Sequence, residues 1–496
     1  MSADDSLKVK TARTLKWNVI DRVASQILYA ITGIILAKLL SVADFGLVGA
    51  VLVFQAFASL LVDSGFSYAL IQKKEPTSRD YSTVLWFNLG ISIIIYAILY
   101  VCAPLIADFF QGDKRLIPLS RVMFLSFIFN GLAIVQTNML MKKMDVKMVA
   151  VSNSIGLILA GAVGIVLAVL GFGAWAIVWQ TITLSVVKTL VLWTTQKWRP
   201  SFDFSWKILR GFFGIGSRMM ITSFLNTLFL NIYAMVIGNR VVMTSLGYYN
   251  QSDKWSKMGI MSISQTLTSS FLPTLSAVQD DADRFKRVCS KMNRFTAYLL
   301  FPAMIGLMAL ATPIFHLLFG EKWDPSIILF QLLLLRGLFT VLIGLYNNFL
   351  LSQGHAKMIM WMEILRDSVA VVALAITFPY MNLSTAEHPV YGLEILLWGQ
   401  VISTVITYIA TLVVTSAKLN IPSFSFIKDL MPYLLLTLAI VPFILWIGSL
   451  FGNSWVAILC QLIFQALVAV GIYAGVLHLA KSKIQKDALS YLRGKL

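Results

Sequence analysis

The sequence predicts an all-α polytopic membrane protein, and three observations carry this prediction. Hydrophobic residues make up 58% of the 496 residues and charged residues only 13%, whereas soluble domains carry about 25% charged residues. The mean hydropathy is +0.80. The apolar residues occur in runs of about 20, which is the length that an α-helix needs to cross a bilayer. This composition excludes a soluble globular enzyme, a disordered chain and a porin-type β-barrel, whose strands alternate polar and apolar residues.

The chain is long enough for about 14 membrane spans joined by short loops. We predict spans at 17–40, 45–71, 81–110, 117–140, 148–170, 172–194, 211–237, 246–275, 295–317, 326–351, 358–378, 391–416, 431–450 and 455–479. Segment 246–275 gives the weakest signal because it contains Asp253, Lys254 and Lys257.

The distribution of Lys and Arg supports segment 246–275 as a span. With a cytoplasmic N-terminus, the inner loops carry 27 basic residues and the outer loops carry 4. Without this span the basic loop 276–294 and the C-terminal tail would lie outside, against the rule that cytoplasmic loops are basic. We therefore predict that both termini are cytoplasmic. Topology, and not a nucleic-acid partner, then explains most of the net charge of +17.

Three landmarks recur in the same order in the two halves of the chain. Arg22 in the first span corresponds to Arg218 in the seventh, segment 45–47 to 246–248, and segment 69–72 to 276–279. The repeat unit is six spans, so both copies enter the membrane from the same side, as in transporters with parallel repeats. We predict two pseudo-symmetric six-helix lobes, at 1–205 and 206–420. Two additional C-terminal spans and a cytoplasmic tail occupy 421–496.

Nine basic side chains fall within predicted spans. One charge at the bilayer centre costs about 2.5–3.5 kcal/mol on insertion scales, so nine such side chains cannot all face lipid. Lys38, Arg121 and Lys188 lie near span ends, where we expect them to snorkel to the interface.

Two groups of charged residues have the spacing of ion pairs on one helix face. Glu363, Arg366 and Asp367 are spaced i, i+3, i+4, which suits either a structural ion pair or a proton or cation site. Asp253 and Lys257 are spaced i, i+4, which leaves Lys254 as the freer cation.

The excess of positive charge in the spans predicts an anionic substrate. The planar guanidinium fork of Arg suits a diphosphate, whereas an exporter of cationic drugs would need acids in its cavity. The candidate diphosphate ligands are Arg22, Arg218, Lys254, Lys257 and Arg336.

Polar and aromatic residues at the start of the eighth span are candidates for sugar contact, because such side chains stack on and hydrogen-bond sugar rings. Hydrogen bonding between helices is the alternative role for them. These candidates are Tyr248, Tyr249, Asn250, Gln251 and Trp255.

The sequence contains no catalytic constellation and no P-loop. We expect no metal and no cofactor beyond a coupling ion, H⁺ or Na⁺. The acids that could carry this ion are Asp21, Asp63, Glu363 and Asp367.

Several segments resemble the Wzx-type polysaccharide exporters, and the colanic-acid-exporter branch in particular. They are 15–18 (LKWN), 44–47 (DFGL), 66–75 (FSYALIQKKE), 86–90 (WFNLG), 246–250 (LGYYN), 301–303 (FPA) and 318–323 (LFGEKW). The likeness runs over about residues 10–430 and is weak in the last two spans.

This family belongs to the multidrug/oligosaccharidyl-lipid/polysaccharide flippase superfamily. The resemblance implies that the two six-helix lobes surround a central cavity and work by alternating access. It implies a substrate, an oligosaccharide on undecaprenyl diphosphate, that moves to the outer leaflet of the bacterial inner membrane. It implies membrane lipid and polysaccharide polymerase machinery as partners. In the related lipid II flippases, arginines of the first and eighth spans act in the cavity. Arg22 matches the first of these positions approximately, and Lys254 and Lys257 stand near the second.

Two other functions stay open. One is a proton- or sodium-coupled exporter of small molecules such as cationic drugs, which the same fold can host. The other is an integral membrane glycosyltransferase or O-antigen ligase, which the short outer loops disfavour.

Overall fold

The computed structural model of the chain describes residues 3–63, 66–383, 388–452 and 454–492, and for some residues within the helices only the backbone. Within these ranges the chain forms eighteen α-helices and two short 3₁₀-helices, with no β-strand. The all-α prediction is confirmed.

The chain forms two compact units, residues 1–247 and 248–496. The first unit contains α1 (Ala3–Leu39), α2 (Val42–Asp63), α3 (Phe66–Gln72), α4 (Ser78–Phe109), α5 (Leu116–Met123), α6 (Ser126–Lys142), α7 (Val146–Val169), α8 (Trp175–Thr195), α9 (Trp206–Arg240) and the start of α10 (Met243–Ser276). The second unit contains the rest of α10, α11 (Ala282–Ala309), α12 (Ala311–Leu318), α13 (Asp324–Ser352), α14 (Ala356–Thr377), α15 (Tyr391–Leu419), α16 (Ser423–Gly448), α17 (Trp455–Leu479) and α18 (Lys483–Leu492).

Helix α9, which the sequence repeat assigns to the second lobe, packs against α2, α3 and α4 of the first unit. The lobe boundaries at 205 and 420 stay predictions.

Each predicted span coincides with one long helix or with two consecutive helices. In the described ranges, ten segments are long and apolar enough to cross a bilayer. The bent pair α11 and α12, which meet at 62°, would make an eleventh. The other predicted spans are α9, α10 and α14, long helices that each carry several charged residues. The chain is a multi-pass membrane protein, and the count of 14 stays a prediction.

Small residues let the helices of the first unit approach closely. A Cβ atom added to Gly161 of α7 would overlap the methyl group of Thr32 on α1. Three residues further along α7, a Cβ on Gly164 would lie 3.1 Å from Cβ of Gln180 on α8. Glycines at these crossings bring backbones together, and dispersion forces then act over short distances, as in other membrane helix pairs.

The connections α1–α2 and α9–α10 match each other residue for residue. Helix α1 ends at Leu39 and α2 begins at Val42, while α9 ends at Arg240 and α10 begins at Met243, each 201 positions later. A Cβ atom on Gly46 would overlap the carbonyl group of Met243, and one on Gly247 would overlap that of Val42. This reciprocal contact agrees with the alignment of 45–47 with 246–248, although the full six-span repeat stays a prediction.

The C-terminal spans dock onto the second unit through polar contacts. Asp429 of α16 accepts a hydrogen bond from Arg294 Nε at 2.6 Å and another from Ser290 Oγ at 2.6 Å, both on α11. The hydroxyl group of Tyr473 on α17 donates to the carbonyl oxygen of Tyr298 at 3.1 Å. These bonds fix the two extra helices to α11.

The glycine contact between α2 and α10 yields a stability prediction. We expect Gly46→Leu to lower the midpoint of thermal unfolding in detergent, because overpacking a close backbone contact costs about 1–3 kcal/mol. Gly90→Leu on α4 is the matched control, since a Cβ there meets nothing within 4 Å. Equal midpoints for the two variants would contradict a close contact at Gly46.

Candidate functional site

The charged triplet of α14 forms a local ion cluster. Arg366 lies 2.5 Å from the Glu363 carboxylate and 2.9 Å from the Asp367 carboxylate. One guanidinium therefore serves two acids, and the cluster keeps one net negative charge. The prediction of an ion pair is confirmed, while a role in ion coupling stays a prediction.

One of the two lysines of α10 forms an ion pair and the other does not, as their spacing predicts. Lys257 Nζ lies 2.6 Å from Asp253 Oδ2, which confirms the i, i+4 pair. Lys254 is exposed, and its ammonium lies 5.7 Å from the centroid of the Trp255 ring. In the described part of the chain no carboxylate lies within ion-pair distance of Lys254. Lys257 is therefore neutralised locally, and Lys254 is the cation of this helix that a ligand could use.

Arg336 on α13 is a half-buried cation with an amide partner instead of an acid. Its Nη1 donates to Oε1 of the buried Gln400 on α15 at 2.9 Å. Its Nε is buried without a hydrogen-bond partner among the described atoms. No described carboxylate lies within ion-pair distance of this guanidinium. A buried donor left unpaired is costly, so this site favours an anion.

The candidate sugar-contact residues of α10 differ in their access to a ligand. Tyr249 is only 4% exposed and Gln251 only 1%, so both face packed neighbours. The Tyr248 ring packs edge-on against Trp323, with centroids 6.1 Å apart, and Trp255 packs against Phe319. In this structure most of the group contributes to packing, and sugar contact stays a prediction.

Three polar donors of the same group lack hydrogen-bond partners among the described atoms. They are Nδ2 of Asn250, Nε2 of Gln251 and Nε1 of Trp255, and all three are buried. Unpaired buried donors cost free energy, so a polar ligand or water at these positions would be stabilising.

In the first unit, Asp21 and Arg22 have different surroundings. Asp21 Oδ1 lies 3.4 Å from Asn153 Nδ2 and 3.4 Å from Ser25 Oγ, and the carboxylate interacts electrostatically with the Lys188 ammonium. Arg22 is exposed, with no described carboxylate within ion-pair distance. The side chains of Arg218 and Asp63 lie outside the described part of the structure, so their predicted roles stay predictions.

Lys188 does not snorkel from a span end, and that expectation is wrong. The side chain is half-buried on α8 and lines a cavity of about 320 Å³ inside the first unit. Five polar residues share the cavity wall with it, namely Ser59, Ser67, Asn130, Thr137 and Asn138. Asn138 donates to the hydroxyl oxygen of Ser67 at 2.8 Å. The expectation failed because of the orientation of α8 about its own axis, which directs this position toward α2 and α6 and away from lipid.

Sequence reasoning missed this polar cavity, although a signal was present. Lys188 stands seven residues before the end of α8, at Thr195, which is about 10 Å along the helix. Asn130 and Asn138 are eight residues apart on α6 and therefore share a helix face. Polar residues on one face of an apolar span indicate a wet interior.

Comparison with known proteins gives a family and a set of relatives. Residues 35–328 match the family described as polysaccharide biosynthesis protein. The chain is 25% identical over 350 residues to the teichuronic acid biosynthesis protein TuaB of Bacillus subtilis, covering 69% of this chain and 71% of the relative. It is 25% identical to the succinoglycan biosynthesis transport protein ExoT of Rhizobium meliloti, covering 73% of each. It is also 25% identical to the lipopolysaccharide biosynthesis protein WzxC of Escherichia coli, covering 75% and 76%.

Two solved structures share the fold. The lipid II flippase MurJ in an inward closed conformation matches with a TM-score of 0.71 at 16% identity, over 93% of this chain and 99% of that chain. An inward-facing multidrug resistance MATE transporter of the MOP superfamily matches with a TM-score of 0.60 at 16% identity, over 80% and 94%. These matches confirm the polytopic transporter fold that the resemblance implies.

The α14 cluster yields a prediction about charge balance. In Arg366→Ala two carboxylates remain on one helix without their cation. Each costs up to about 2.5–3.5 kcal/mol if it stays ionised at the bilayer centre, and less where it is partly exposed. We expect a lower midpoint of thermal unfolding, and we expect Glu363→Gln with Asp367→Asn to restore it in the same background.

Lys418→Ala is the control for this series, because Lys418 is exposed in the last turn of α15. If Arg366→Ala has the same midpoint of thermal unfolding as the wild type, the prediction is wrong, and water stabilises these carboxylates without Arg366.

Proposed function

The chain belongs to the polysaccharide biosynthesis protein family, and from this premise we propose that it is a flippase for lipid-linked oligosaccharide. The cargo would be a repeat unit of an O antigen, capsule or exopolysaccharide on undecaprenyl diphosphate. It would move from the cytoplasmic to the outer leaflet of the bacterial inner membrane, with both protein termini in the cytoplasm. The name of one relative, the succinoglycan biosynthesis transport protein ExoT, supports transport in polysaccharide biosynthesis over synthesis of the sugar itself.

The observation that carries this proposal is the sign of the unpaired charge within the spans. The acids Asp253, Glu363 and Asp367 are each held in ion pairs. Arg22, Lys254 and Arg336 have no carboxylate within ion-pair distance in the described part of the chain. Unpaired cations at membrane depth favour an anionic ligand. A diphosphate between a polyprenyl tail and a polar sugar meets this requirement.

Arg336 is the side chain best prepared for such a ligand. Gln400 holds one end of the guanidinium, and the unpaired Nε is left for a further acceptor. Two N–H groups on one side of the planar fork match two phosphate oxygens. Arg22, Arg218 and Lys254 remain the other candidate ligands of the diphosphate that the sequence predicts.

Within the first unit, the polar cavity beside Lys188 has the chemistry of a carbohydrate site. Its volume of about 320 Å³ falls at the lower end of the range for small-ligand pockets. Its amides and hydroxyls are the groups that hydrogen-bond sugar hydroxyls. The polyprenyl tail would remain in the surrounding lipid, so the protein would shelter only the polar part.

A proton or sodium gradient would drive the cycle, and Asp21 is the acid that the contacts favour for this role. Glu363 and Asp367 already share Arg366, whereas the partners of Asp21 at 3.4 Å are neutral and weakly placed. The electrostatic attraction between Asp21 and Lys188 would change when a proton or a sodium ion binds. Ion binding at Asp21 would then change the electrostatic environment of Lys188, which lines the cavity.

The alternative in the same superfamily fold is an exporter of small cations. The fold match to a multidrug transporter does not separate the two functions, because folds are shared between functions. The charge favours the flippase, because the unpaired cations Arg22, Lys254 and Arg336 outnumber Asp21, the acid whose hydrogen-bond partners are neutral.

The direct test is flipping in proteoliposomes. A polyprenyl-diphosphate oligosaccharide is placed in one leaflet, and its access to a lectin outside is followed with and without proton and sodium gradients. We expect protein-dependent flipping that one gradient accelerates. Gradient-independent flipping would remove the coupling part of the proposal. Uptake of a small cation without flipping would favour the drug exporter.

Substitutions at Arg336 test the diphosphate site in the same assay. We expect Arg336→Ala to slow flipping by roughly tenfold to a hundredfold, because hydrogen bonds to charged groups contribute about 1.5–3 kcal/mol. Arg336→Lys should retain an intermediate rate, since it keeps the charge and loses the fork. The exposed Lys418→Ala serves again as the control. A wild-type rate for Arg336→Ala would exclude a role in substrate binding.

A further inference from the structure

A second cavity lies on the surface of the first unit, where α4 meets the short helix α5. Its volume is about 340 Å³. Aromatic and aliphatic side chains form most of its wall, and the charged residue at its edge is Arg121. The lining includes Tyr96 and Tyr100 of α4 and Ile117, Pro118 and Val122 of α5. Nothing in the proposed transport cycle requires this cavity.

Arg121 is held in a defined orientation at this edge. Its guanidinium carbon lies 4.3 Å from the centroid of the Tyr100 ring, and its Nε donates to the Tyr100 carbonyl oxygen at 3.2 Å. The terminal nitrogens, with four N–H groups, make no hydrogen bond to another described protein group. No described carboxylate lies within ion-pair distance. The ring and the carbonyl group therefore position the cation without neutralising it.

The cavity borders a face of α4 that lipid must cover. Ile98 is 55% exposed, Val101 73% and Leu105 67%, and with Ile94 they form a stripe at helical spacing. Large apolar side chains exposed along a membrane-spanning helix contact hydrocarbon. A molecule in the cavity would therefore lie beside lipid chains.

The height of the cavity in the membrane follows from the chain direction. Helix α4 begins after the basic loop 72–80, which is predicted to be cytoplasmic, and ends near Phe109 on the outer side. Arg121 lies five residues after the start of α5, about 8 Å along the helix. The guanidinium is therefore at the level of the outer leaflet, within reach of its phosphates.

We propose that this cavity binds an anionic phospholipid of the outer leaflet, with Arg121 as the ligand of its phosphate. One guanidinium matches the single charge of a phosphodiester. Arg121 at the edge would hold the phosphate, the small and largely apolar cavity would take the start of an acyl chain, and the neighbouring stripe of α4 would contact the rest of the chains. A lipid-linked diphosphate carries more charge and a bulky polar sugar, for which this cavity offers neither a second cation nor a polar wall.

The test measures lipid binding to the full chain purified in detergent. Native mass spectrometry counts retained lipids, and thermal unfolding is followed while phosphatidylglycerol or phosphatidylcholine is added. We expect one phosphatidylglycerol to be retained and the midpoint to rise with phosphatidylglycerol only. Arg121→Gln should weaken this binding by about tenfold, the effect of losing one charged hydrogen-bonding group.

Arg115→Gln is the matched control. Arg115 lies on the same outer side, but it is exposed and its Nη2 lies 2.7 Å from Asp113 Oδ2. We expect this variant to keep the bound lipid. Tyr100→Leu provides a second test of the site, because this variant keeps the charge of Arg121 and removes the ring that orients its guanidinium. This variant should bind phosphatidylglycerol several-fold more weakly, and a monodisperse profile in size-exclusion chromatography would show that it is folded.

Three results would overturn the proposal. The first is equal binding of phosphatidylglycerol and phosphatidylcholine to the wild type. The second is unchanged binding to folded Arg121→Gln. The third is tighter binding of a polyprenyl diphosphate that Arg121→Gln abolishes, which would assign the cavity to the transported lipid.

Discussion

Hydrocarbon offers no hydrogen bonds, and the rest of the structure follows from this constraint. Backbone groups within the spans are satisfied inside helices, and polar side chains must find partners within the protein. Several charged groups described at membrane depth meet this requirement in different ways. Asp253 and Lys257 neutralise each other on one helix face, Arg366 is shared by two carboxylates, and Arg121 lies on an aromatic ring.

The same constraint explains why the helices approach so closely. Lipid tails are as apolar as leucine, so burying a leucine between two membrane helices gains little over leaving it in lipid. Close contact through glycine gains dispersion energy that lipid cannot supply. Gly161 against Thr32 provides such a contact within the first unit. The reciprocal contacts of Gly46 and Gly247 provide a second example. The two glycines occupy equivalent positions after the α1–α2 and α9–α10 connections.

The polar groups without partners are therefore informative. Arg336 keeps a buried Nε unpaired, and three donors near the start of α10 are unpaired as well. Groups that cost free energy in the resting protein are stabilised when a ligand arrives, and they select for its chemistry. At Arg336 and at the start of α10 these unpaired atoms are donors, so a ligand that binds there would carry acceptors or negative charge. The unpaired Nε of Arg336 in particular suits a phosphate oxygen.

Local properties of the sequence determined most of the architecture. Hydropathy over about 20 residues located the helices, and spacings of three and four residues identified the pairs of α10 and α14, because both depend only on neighbours along one helix. The rotation of each helix about its axis depends on residues far away in sequence. For that reason only the tertiary structure decided that Lys188 lines a polar cavity and that Arg336 contacts Gln400. It likewise decided that Tyr249 and Gln251 are buried and that Arg121 packs on the ring of Tyr100.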